Sequence, residues 1–146
     1  MIDAAPARLI LVVDANPDHN RIIETTLHET SGCYQIVAIA SGLEALDFLY
    51  HRGIYDASPR PDIILLDLNL SDADGLDLLA EIKADHQLRR IPIVVFTLSD
   101  QSEHILKSYT LHSNCYVLKS DDLHNLASIV KRIEEFWLGI VTLPVE

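Results

Sequence analysis

The chain is short of positive charge and of long apolar segments, and each shortage excludes a class of function. It has 11 basic and 22 acidic residues, a net charge of −11, and a surface of that sign repels the phosphate backbones of nucleic acids. Its apolar runs are much shorter than the roughly 20 residues of a membrane-spanning helix, and no signal peptide pattern is present. We therefore expect a protein that binds neither nucleic acid nor membrane.

Cysteine is scarce, and histidine is too scattered to predict a zinc site. Cys33 and Cys115 are the only cysteines and lie far apart, which indicates reduced, buried thiols in the cytosol. None of the seven histidines pairs with another at helical spacing beside a carboxylate, so we predict surface or half-buried side chains and no metal ligands among them. Both observations favour a cytoplasmic protein.

The chain has instead short apolar runs that end on a polar residue. The run that organises the fold lies in residues 61–71, where an apolar stretch follows Pro61 and ends on Asp67. Such a run is typical of a strand that is buried on both faces of a parallel sheet. Similar patterns predict four further strands, at 9–14, 34–40, 91–97 and 115–119, of which the one at 34–40 alternates and belongs nearer the sheet edge.

A helical pattern follows each predicted strand. Helices are expected over 17–30, from 41 to about 49, and over 75–85. A fourth helix begins within the polar stretch 98–103 and ends near 111, and a fifth follows the cap at 120–122. Ser41 and Glu44 form the sequence signature of a capping box, and Leu43 is assigned to the apolar side of that helix. The five units predict a single α/β domain, a (βα)5 doubly wound parallel sheet with helices on both faces. Residues 1–8 are expected to form a flexible arm and 139–146 an apolar C-terminal tail.

Four of the predicted strands end on residues that suit phosphoryl transfer: Asp14, Asp67, Thr97 and Lys119. Parallel strands bring their carboxyl ends to one edge of the sheet, so these side chains are expected to converge there. A lone aspartate after a strand is more often a loop residue or a helix cap than a functional carboxylate, so Asp67 by itself does not indicate a site. Together, an aspartate nucleophile, with an ammonium and a hydroxyl that bind phosphoryl oxygens, form a plausible phosphoryl-transfer site. Oxygen ligands suit Mg²⁺ as the neutralising cation.

The ordered set of strand ends resembles the receiver domains of two-component response regulators. The segments RPDIILLDLNLSDADG, AEIKAD, RRIPIVV, NCYVLKS and EEFWLGIVTLP look like the small stand-alone regulators that serve cyanobacterial phytochromes. The resemblance implies a flavodoxin-like fold with strand order 2-1-3-4-5. It also implies a phytochrome-type sensor histidine kinase as partner, a phosphoprotein without a DNA-binding domain, and no enzyme beyond self-catalysed phosphotransfer.

The resemblance also assigns roles to individual residues. Asp67 is the expected phosphoacceptor, Thr97 the switch hydroxyl and Lys119 the contact to the phosphoryl group. Tyr116 stands at the position of a rotating aromatic residue that reports phosphorylation to partners. Asn69 is expected to offer its backbone carbonyl to the metal.

One departure from the family pattern affects the metal site. Receiver domains have two adjacent acidic residues after the first strand, and here Asp14 is followed by Ala15. The expected ligands are then Asp14, Asp67 and the Asn69 carbonyl, with Ala15 at a normally acidic position. Loss of a ligand predicts weaker Mg²⁺ binding, by about 10- to 100-fold or more. Ser120 after the lysine, where the wider family has proline, agrees with the phytochrome-linked group.

The end of the chain is more apolar than a solvated helix requires. Its residues either pack back on their own domain or form a face for a partner. Near-heptad spacing on the last helix favours a partner face, made of Leu123, Val130, Phe136, Trp137 and Ile140. Leu123, Val130 and Trp137 are also assigned to the side that faces the core. The resembling regulators form homodimers through their last helices and strand, so a homodimer is expected.

Three other functions compete with a phosphorylation-controlled switch. A phosphorylation-independent dimeric adaptor fits Ala15 but leaves the intact strand ends unexplained. A phosphatase of the haloacid dehalogenase type needs an acid two residues after its nucleophile, where this chain has Asn69, which cannot supply a proton. A flavodoxin-like FMN carrier needs a first loop rich in Ser, Thr and Gly, which residues 15–17 lack.

Overall fold

The computed structural model describes residues 7–30 and 32–144, and it contains all five predicted β–α units. The strands are β1 (Arg8–Val13), β2 (Tyr34–Ile39), β3 (Ile63–Leu66), β4 (Ile93–Thr97) and β5 (Cys115–Leu118). The helices are α1 (Pro17–Glu29), α2 (Gly42–Leu49), α3 (Gly75–Ala84), α4 (Ser102–Thr110) and α5 (Leu123–Ile133). Two 3₁₀ turns, Gly53–Tyr55 and Leu88–Arg90, lie in the connections, and a π-helical segment, Glu134–Ile140, continues α5.

The strands form one parallel sheet in the order β2-β1-β3-β4-β5, which confirms the predicted fold. Val13 pairs with Leu66, and Leu66 pairs with Val95, so β1, β3 and β4 reach their carboxyl ends at nearly the same level. Asp14 and Asp67 come directly after two of these paired residues. The register therefore places both carboxylates at one edge of the sheet.

The core has two layers because successive strand residues point to opposite faces of the sheet. Leu9, Leu11 and Val13 of β1 pack on the side of α2 and α3, whereas Ile10 and Val12 pack on the side of α1 and α5. All four residues of β3 are buried, as predicted for a central parallel strand. The described residues include no helix with the length and apolarity that a bilayer crossing requires.

The start of α2 differs from the prediction. Its buried face runs through Gly42, Ala45 and Phe48, and Leu43, one residue out of phase with that face, is 59% exposed. Only half of the capping box forms. The Glu44 backbone N–H donates to Ser41 Oγ (3.0 Å), while the Glu44 carboxylate accepts a hydrogen bond from the Tyr55 hydroxyl (3.1 Å).

The prediction for α5 was wrong at two positions. Leu126, Val130 and Ile133 form its buried face, at the i, i+4, i+7 spacing of a helix that packs on one side. Val130 is fully buried, so it cannot belong to a partner face. Leu123, the first residue of the helix, is 40% exposed instead of facing the core.

The cysteines and the two ends of the chain also differ from expectation. Cys33 is exposed and Cys115 half-buried, so neither thiol is buried as predicted. Arg8 belongs to β1 and not to a flexible arm, and residues 1–6 lie outside the described part of the chain. Of the predicted tail, Gly139 and Ile140 complete the π-helical segment, and residues 145–146 also lie outside the description.

Candidate functional site

The sheet brings the four predicted strand-end residues together. The Asp67 N–H donates to the Val13 carbonyl (2.9 Å), and the Lys119 N–H donates to the Thr97 carbonyl (2.8 Å). These ladder bonds continue the parallel pairing just past the strand ends. The backbone therefore fixes where each of the four side chains begins.

Lys119 is the centre of the cluster. Its side chain is fully buried, and its Nζ donates to Asp67 Oδ2 (2.7 Å) and to Asp14 Oδ2. The ammonium also lies 5.8 Å from the centre of the Phe96 ring. Two carboxylates around one ammonium do not balance in charge, and keeping such a group out of water is costly.

Asp67 is held through both of its carboxylate oxygens. Oδ2 binds Lys119, while Oδ1 accepts hydrogen bonds from the Asn69 N–H (2.9 Å) and from the Thr97 hydroxyl (2.8 Å). Because Thr97 is fully buried, its hydroxyl needs a partner within the protein, and Asp67 Oδ1 is that partner. The Asp67 carboxylate is thus oriented by three donors from three different chain segments.

Asp14 has a partly different environment. Its Oδ1 accepts from the Asn16 N–H (2.9 Å), and its backbone carbonyl accepts from Asn20 Nδ2 (2.8 Å). Burial raises the pKa of the Asp14 carboxyl above its ordinary value, and the attraction of Lys119 opposes this shift. Asn16 is also the N-cap of α1, as predicted, with its Oδ1 accepting from the Asp18 and His19 N–H groups.

The loop after β3 is fastened at both ends. Gly75 begins α3 against the backbone of Leu68: a Cβ at Gly75 would lie 2.4 Å from Leu68 Cα, so no larger residue fits without a shift. Within the loop, three residues before Gly75, Asp72 accepts hydrogen bonds from the Ser41 hydroxyl and from the Gly42 N–H (2.9 Å). These bonds lower the pKa of Asp72, and they tie the loop that follows Asp67 to the start of α2.

Sequence reasoning missed two residues of this region. His19 was expected at the surface or half-buried, but it is buried, and its Nδ1 lies 2.9 Å from Lys119 Nζ. Its position in the first turn after the Asn16 cap was the available signal, because that turn starts beside a strand end. Asp72 gave no comparable signal, since its partners at Ser41 and Gly42 are about 30 residues away in the sequence.

A shallow cleft opens beside the two carboxylates. It is lined by Asp14, Ala15, Asn16, Pro17, Asp18, His19, Asp67, Asn69 and Leu98. The methyl group of Ala15 offers no ligand atom. Within residues 7–30 and 32–144, no group of three or more His, Cys, Asp and Glu side chains is placed to hold a metal ion. The lining residues include the carboxylates of Asp14, Asp18 and Asp67, and oxygen donors of this kind suit Mg²⁺ or Mn²⁺.

Tyr116 lies at the far side of the site, on β5. Its hydroxyl donates to the Ser99 carbonyl (2.7 Å), and its half-buried ring packs against the core layer of α2 and α3. Ser99 is joined in turn to His104 of α4, with 2.6 Å between Oγ and Nδ1. The connection from Thr97 to α4 is therefore held by β5.

The predicted partner face is only partly exposed. Phe136 (51%) and Ile140 (76%) lie in solvent, whereas Trp137 packs against the core layer of α1 and α5. Further hydrogen bonds fasten the π-helical segment: the Tyr34 hydroxyl donates to Glu134 Oε2 (2.6 Å) and Arg8 Nη1 donates to the Leu138 carbonyl (3.4 Å). The segment thus packs back on its own domain and also leaves apolar side chains outside.

Comparison with known proteins agrees with this geometry. Residues 10–131 match the model of the response regulator receiver domain. Response regulator Rcp1 of Synechocystis sp. is 42% identical over 142 residues, 97% of each chain. The Mn²⁺-bound form of Rcp1 superposes with a TM-score of 0.91 at 43% identity, covering 94% of this chain and 99% of that one. The phosphorylated cyanobacterial phytochrome response regulator RcpA gives 0.92 at 45% identity, covering 95% and 99%.

These matches cover nearly the whole chain, and they confirm the resemblance that its motifs indicated. The probable methanogenesis regulatory protein FilR2 of Methanothrix harundinacea is a more distant relative, 34% identical over 95% of this chain and 89% of its own. The chain belongs to the response regulator receiver domain family, and it is similar to the phytochrome response regulators within it.

Proposed function

We propose that the protein accepts a phosphoryl group on Asp67 from a sensor histidine kinase of the phytochrome type. The observation that carries the proposal is the placement of Asp67 between Lys119 and Thr97, with Nζ 2.7 Å from Oδ2 and Oγ1 2.8 Å from Oδ1. An ammonium and a hydroxyl held against one carboxylate are the donors that a phosphoryl group on that carboxylate would need.

The transfer needs little from the protein beyond position and charge. A carboxylate oxygen of Asp67 attacks phosphorus, the P–N bond to the kinase histidine breaks, and the leaving imidazole nitrogen takes a proton from water. The product is an acyl phosphate that places new negative charge beside Lys119. Lys119 and Thr97 then turn their hydrogens from the carboxylate towards the phosphoryl oxygens.

A divalent cation is part of the proposal. Asp14, Asp67 and the backbone carbonyl of Asn69 would hold Mg²⁺ or Mn²⁺, and a bound cation supplies charge neutralisation between the carboxylates and the phosphoryl group. The Mn²⁺-bound form of the relative Rcp1 supports such an ion. The Ala15 side chain contributes no oxygen, so we expect this site to bind its metal less tightly than one with an acid at that position.

The output of the switch would travel through Thr97 and Tyr116. When Thr97 turns towards a phosphoryl group, the loop that joins β4 to α4 should shift. The Tyr116 hydroxyl donates to the Ser99 carbonyl in that loop, so Tyr116 should move with it. The surface formed by α4, β5 and α5 would change with it. We propose that this surface contacts partners. We also propose that the protein forms a homodimer in the cytoplasm, through Leu123 of α5 and the exposed Phe136 and Ile140 of the π-helical segment.

Phosphorylation can be tested directly with acetyl phosphate and Mg²⁺, resolving phosphorylated from unmodified chains on a phosphate-affinity gel. We expect a Mg²⁺-dependent shift that Asp67→Asn abolishes, and a faster one in Ala15→Asp because a ligand is restored. A shift only in Ala15→Asp would mean that the native chain is a phosphorylation-independent adaptor. That alternative is not favoured, because Asp67, Thr97 and Lys119 are assembled and phosphorylated RcpA is a close neighbour in structure.

A further inference from the structure

We propose that His19 is a positioning residue, which holds the Lys119 ammonium in place for phosphoryl transfer. The proposal rests on the proposed function of the site and assigns a residue of α1 to it. His19 is the third residue of that helix, and its backbone N–H donates to the Asn16 cap (3.1 Å). Its imidazole is buried beside the ammonium, and it borders the same cleft as Asp14 and Asp67.

The hydrogen bonds of the ammonium show what His19 contributes. A lysine ammonium has three hydrogens and no acceptor. Its three contacts here are Asp14 Oδ2, Asp67 Oδ2 and His19 Nδ1. Each hydrogen therefore has one acceptor, and His19 must present the lone pair of Nδ1 and carry its proton on Nε2. The Ala15 side chain cannot accept a hydrogen bond, and His19 provides an acceptor from the side of α1.

His19 differs from the other two acceptors because it does not take part in the reaction. The two carboxylates compete for the ammonium, and phosphorylation of Asp67 changes the charge on one of them. The Nδ1 contact is uncharged, so it neither draws Lys119 away from the phosphoryl group nor changes when the group arrives. It keeps the ammonium close to Asp67 while one of the ammonium's hydrogen bonds changes its acceptor from the carboxylate to a phosphoryl oxygen.

The helix that carries His19 is well suited to this role. Pro17 at its first position fixes the backbone, and Asn16 caps the first turn with two hydrogen bonds. The acceptor nitrogen is therefore attached to a rigid element that is bonded to the Asp14 segment through the Asn16 N–H. A loop residue at the same place would set the ammonium less firmly.

The test compares two substitutions of His19 with one of His28, an exposed histidine in the last turn of the same helix. His19→Leu removes the acceptor, while His19→Asn offers an amide oxygen near the position of Nδ1. We expect His19→Leu to slow phosphorylation by acetyl phosphate about tenfold, the lower end of effects seen when an orienting residue is removed. We expect His19→Asn to restore most of the rate and His28→Leu to leave it unchanged, with thermal melting showing that each variant is folded.

A second measurement reads the contact without any phosphorylation. The chain has four lysines, and the buried Lys119 ammonium should give a slowly exchanging ¹⁵N signal in side-chain NMR spectra. That signal should shift or vanish in His19→Leu and persist in His19→Asn and His28→Leu. A native signal and rate in His19→Leu would overturn the proposal, as would a His19→Asn variant as slow as His19→Leu. If the native chain takes up no phosphoryl group, the proposed function fails, and the NMR signal alone decides the role of His19.

Discussion

Lys119 Nζ lies 2.7 Å from Asp67 Oδ2, and neither side chain is more than 8% exposed. The same ammonium binds Asp14, so two buried carboxylates depend on a single positive charge. A receiver site with this arrangement has one negative charge in excess before any phosphoryl group arrives. Its stability and its reactivity therefore depend on the same lysine.

Lys119→Met should destabilise the fold strongly, because it leaves two buried carboxylates facing each other. Breaking a buried ion pair from one side costs about 3–5 kcal/mol, and urea unfolding measures the loss. Adding Asp14→Asn should recover part of it, since one of the unpaired charges is removed. Lys131→Met is the matched control, because Lys131 is exposed on α5. A Lys119→Met variant as stable as the control would show that the pair contributes little.

Gly75→Ala and Gly139→Ala should have opposite effects on the free energy of unfolding. A Cβ at Gly75 meets the Leu68 backbone at 2.4 Å, and forced overpacking costs about 1–3 kcal/mol. A Cβ at Gly139 meets nothing closer than 3.9 Å, and alanine in a helical segment is favoured over glycine by up to about 1 kcal/mol. Gly75→Ala should also slow phosphorylation, since it moves the loop after Asp67. Equal stability changes in both variants would contradict this account.

Asp72 should stabilise the fold at neutral pH and lose this contribution in acid. The hydrogen bonds from Ser41 and Gly42 hold its folded pKa below the ordinary value of 3.8. A lowered carboxyl pKa contributes stability that is present above pH 3.8 and is lost as the pH falls through the folded pKa. Asp72→Asn should remove that contribution. Unfolding curves at a series of acidic pH values should show the gap between the native chain and the variant narrowing as the pH falls, and a constant gap would count against it.

The Tyr34–Glu134 hydrogen bond should contribute in the opposite pH range. Burial and the Glu134 carboxylate raise the pKa of Tyr34 to about 12 from an ordinary value of 10.0. Because the folded pKa is raised, the contribution is complete below pH 10.0 and is lost as the pH rises towards 12. Tyr34→Phe should cost about 1 kcal/mol at neutral pH and flatten the alkaline unfolding profile. Glu134→Gln keeps an acceptor, so a loss as large as that of Tyr34→Phe would contradict the assignment.

Replacing exposed apolar residues of the π-helical segment should weaken the proposed homodimer. If Ile140 becomes buried in an interface, Ile140→Ser forfeits about 1.5–3 kcal/mol for each buried copy, so association should weaken by at least roughly tenfold. Sedimentation equilibrium at several protein concentrations measures the change, and Phe136→Ser should act in the same direction. Ile54→Ser is the matched control, because Ile54 is 88% exposed on the 3₁₀ turn after α2. A native chain that stays monomeric would remove the dimer from the proposal.

The strand order and the converging strand ends could be anticipated because they depend on local patterns. Each apolar run ends abruptly on one polar residue, and a parallel sheet collects those ends at one edge. Exposure was predicted less well at the ends of helices. Leu43 and Leu123 lie in first turns, where apolar spacing alone does not show how much of a side chain the neighbouring layer covers.

The contacts that complete the site could not be read from the sequence because they join distant segments. His19 meets Lys119 across 100 residues of sequence, and Asp72 meets Ser41 across 31. Local sequence does not distinguish Asp72 from an ordinary surface polar residue, and for His19 it shows only a place in the first turn of α1, beside a strand end. Val130 shows the converse problem, since heptad spacing and core spacing overlap on a single helix and only packing separates them.

Because the Lys119 side chain is completely buried, the rate at which its amine is chemically modified should report how often the site opens. Reagents that acylate lysine should modify the exposed Lys107 and Lys131 at once, whereas Lys119 can react only while the strand ends are parted. The labelling rate of Lys119 would therefore measure the opening of the strand ends in a protein that carries no added probe.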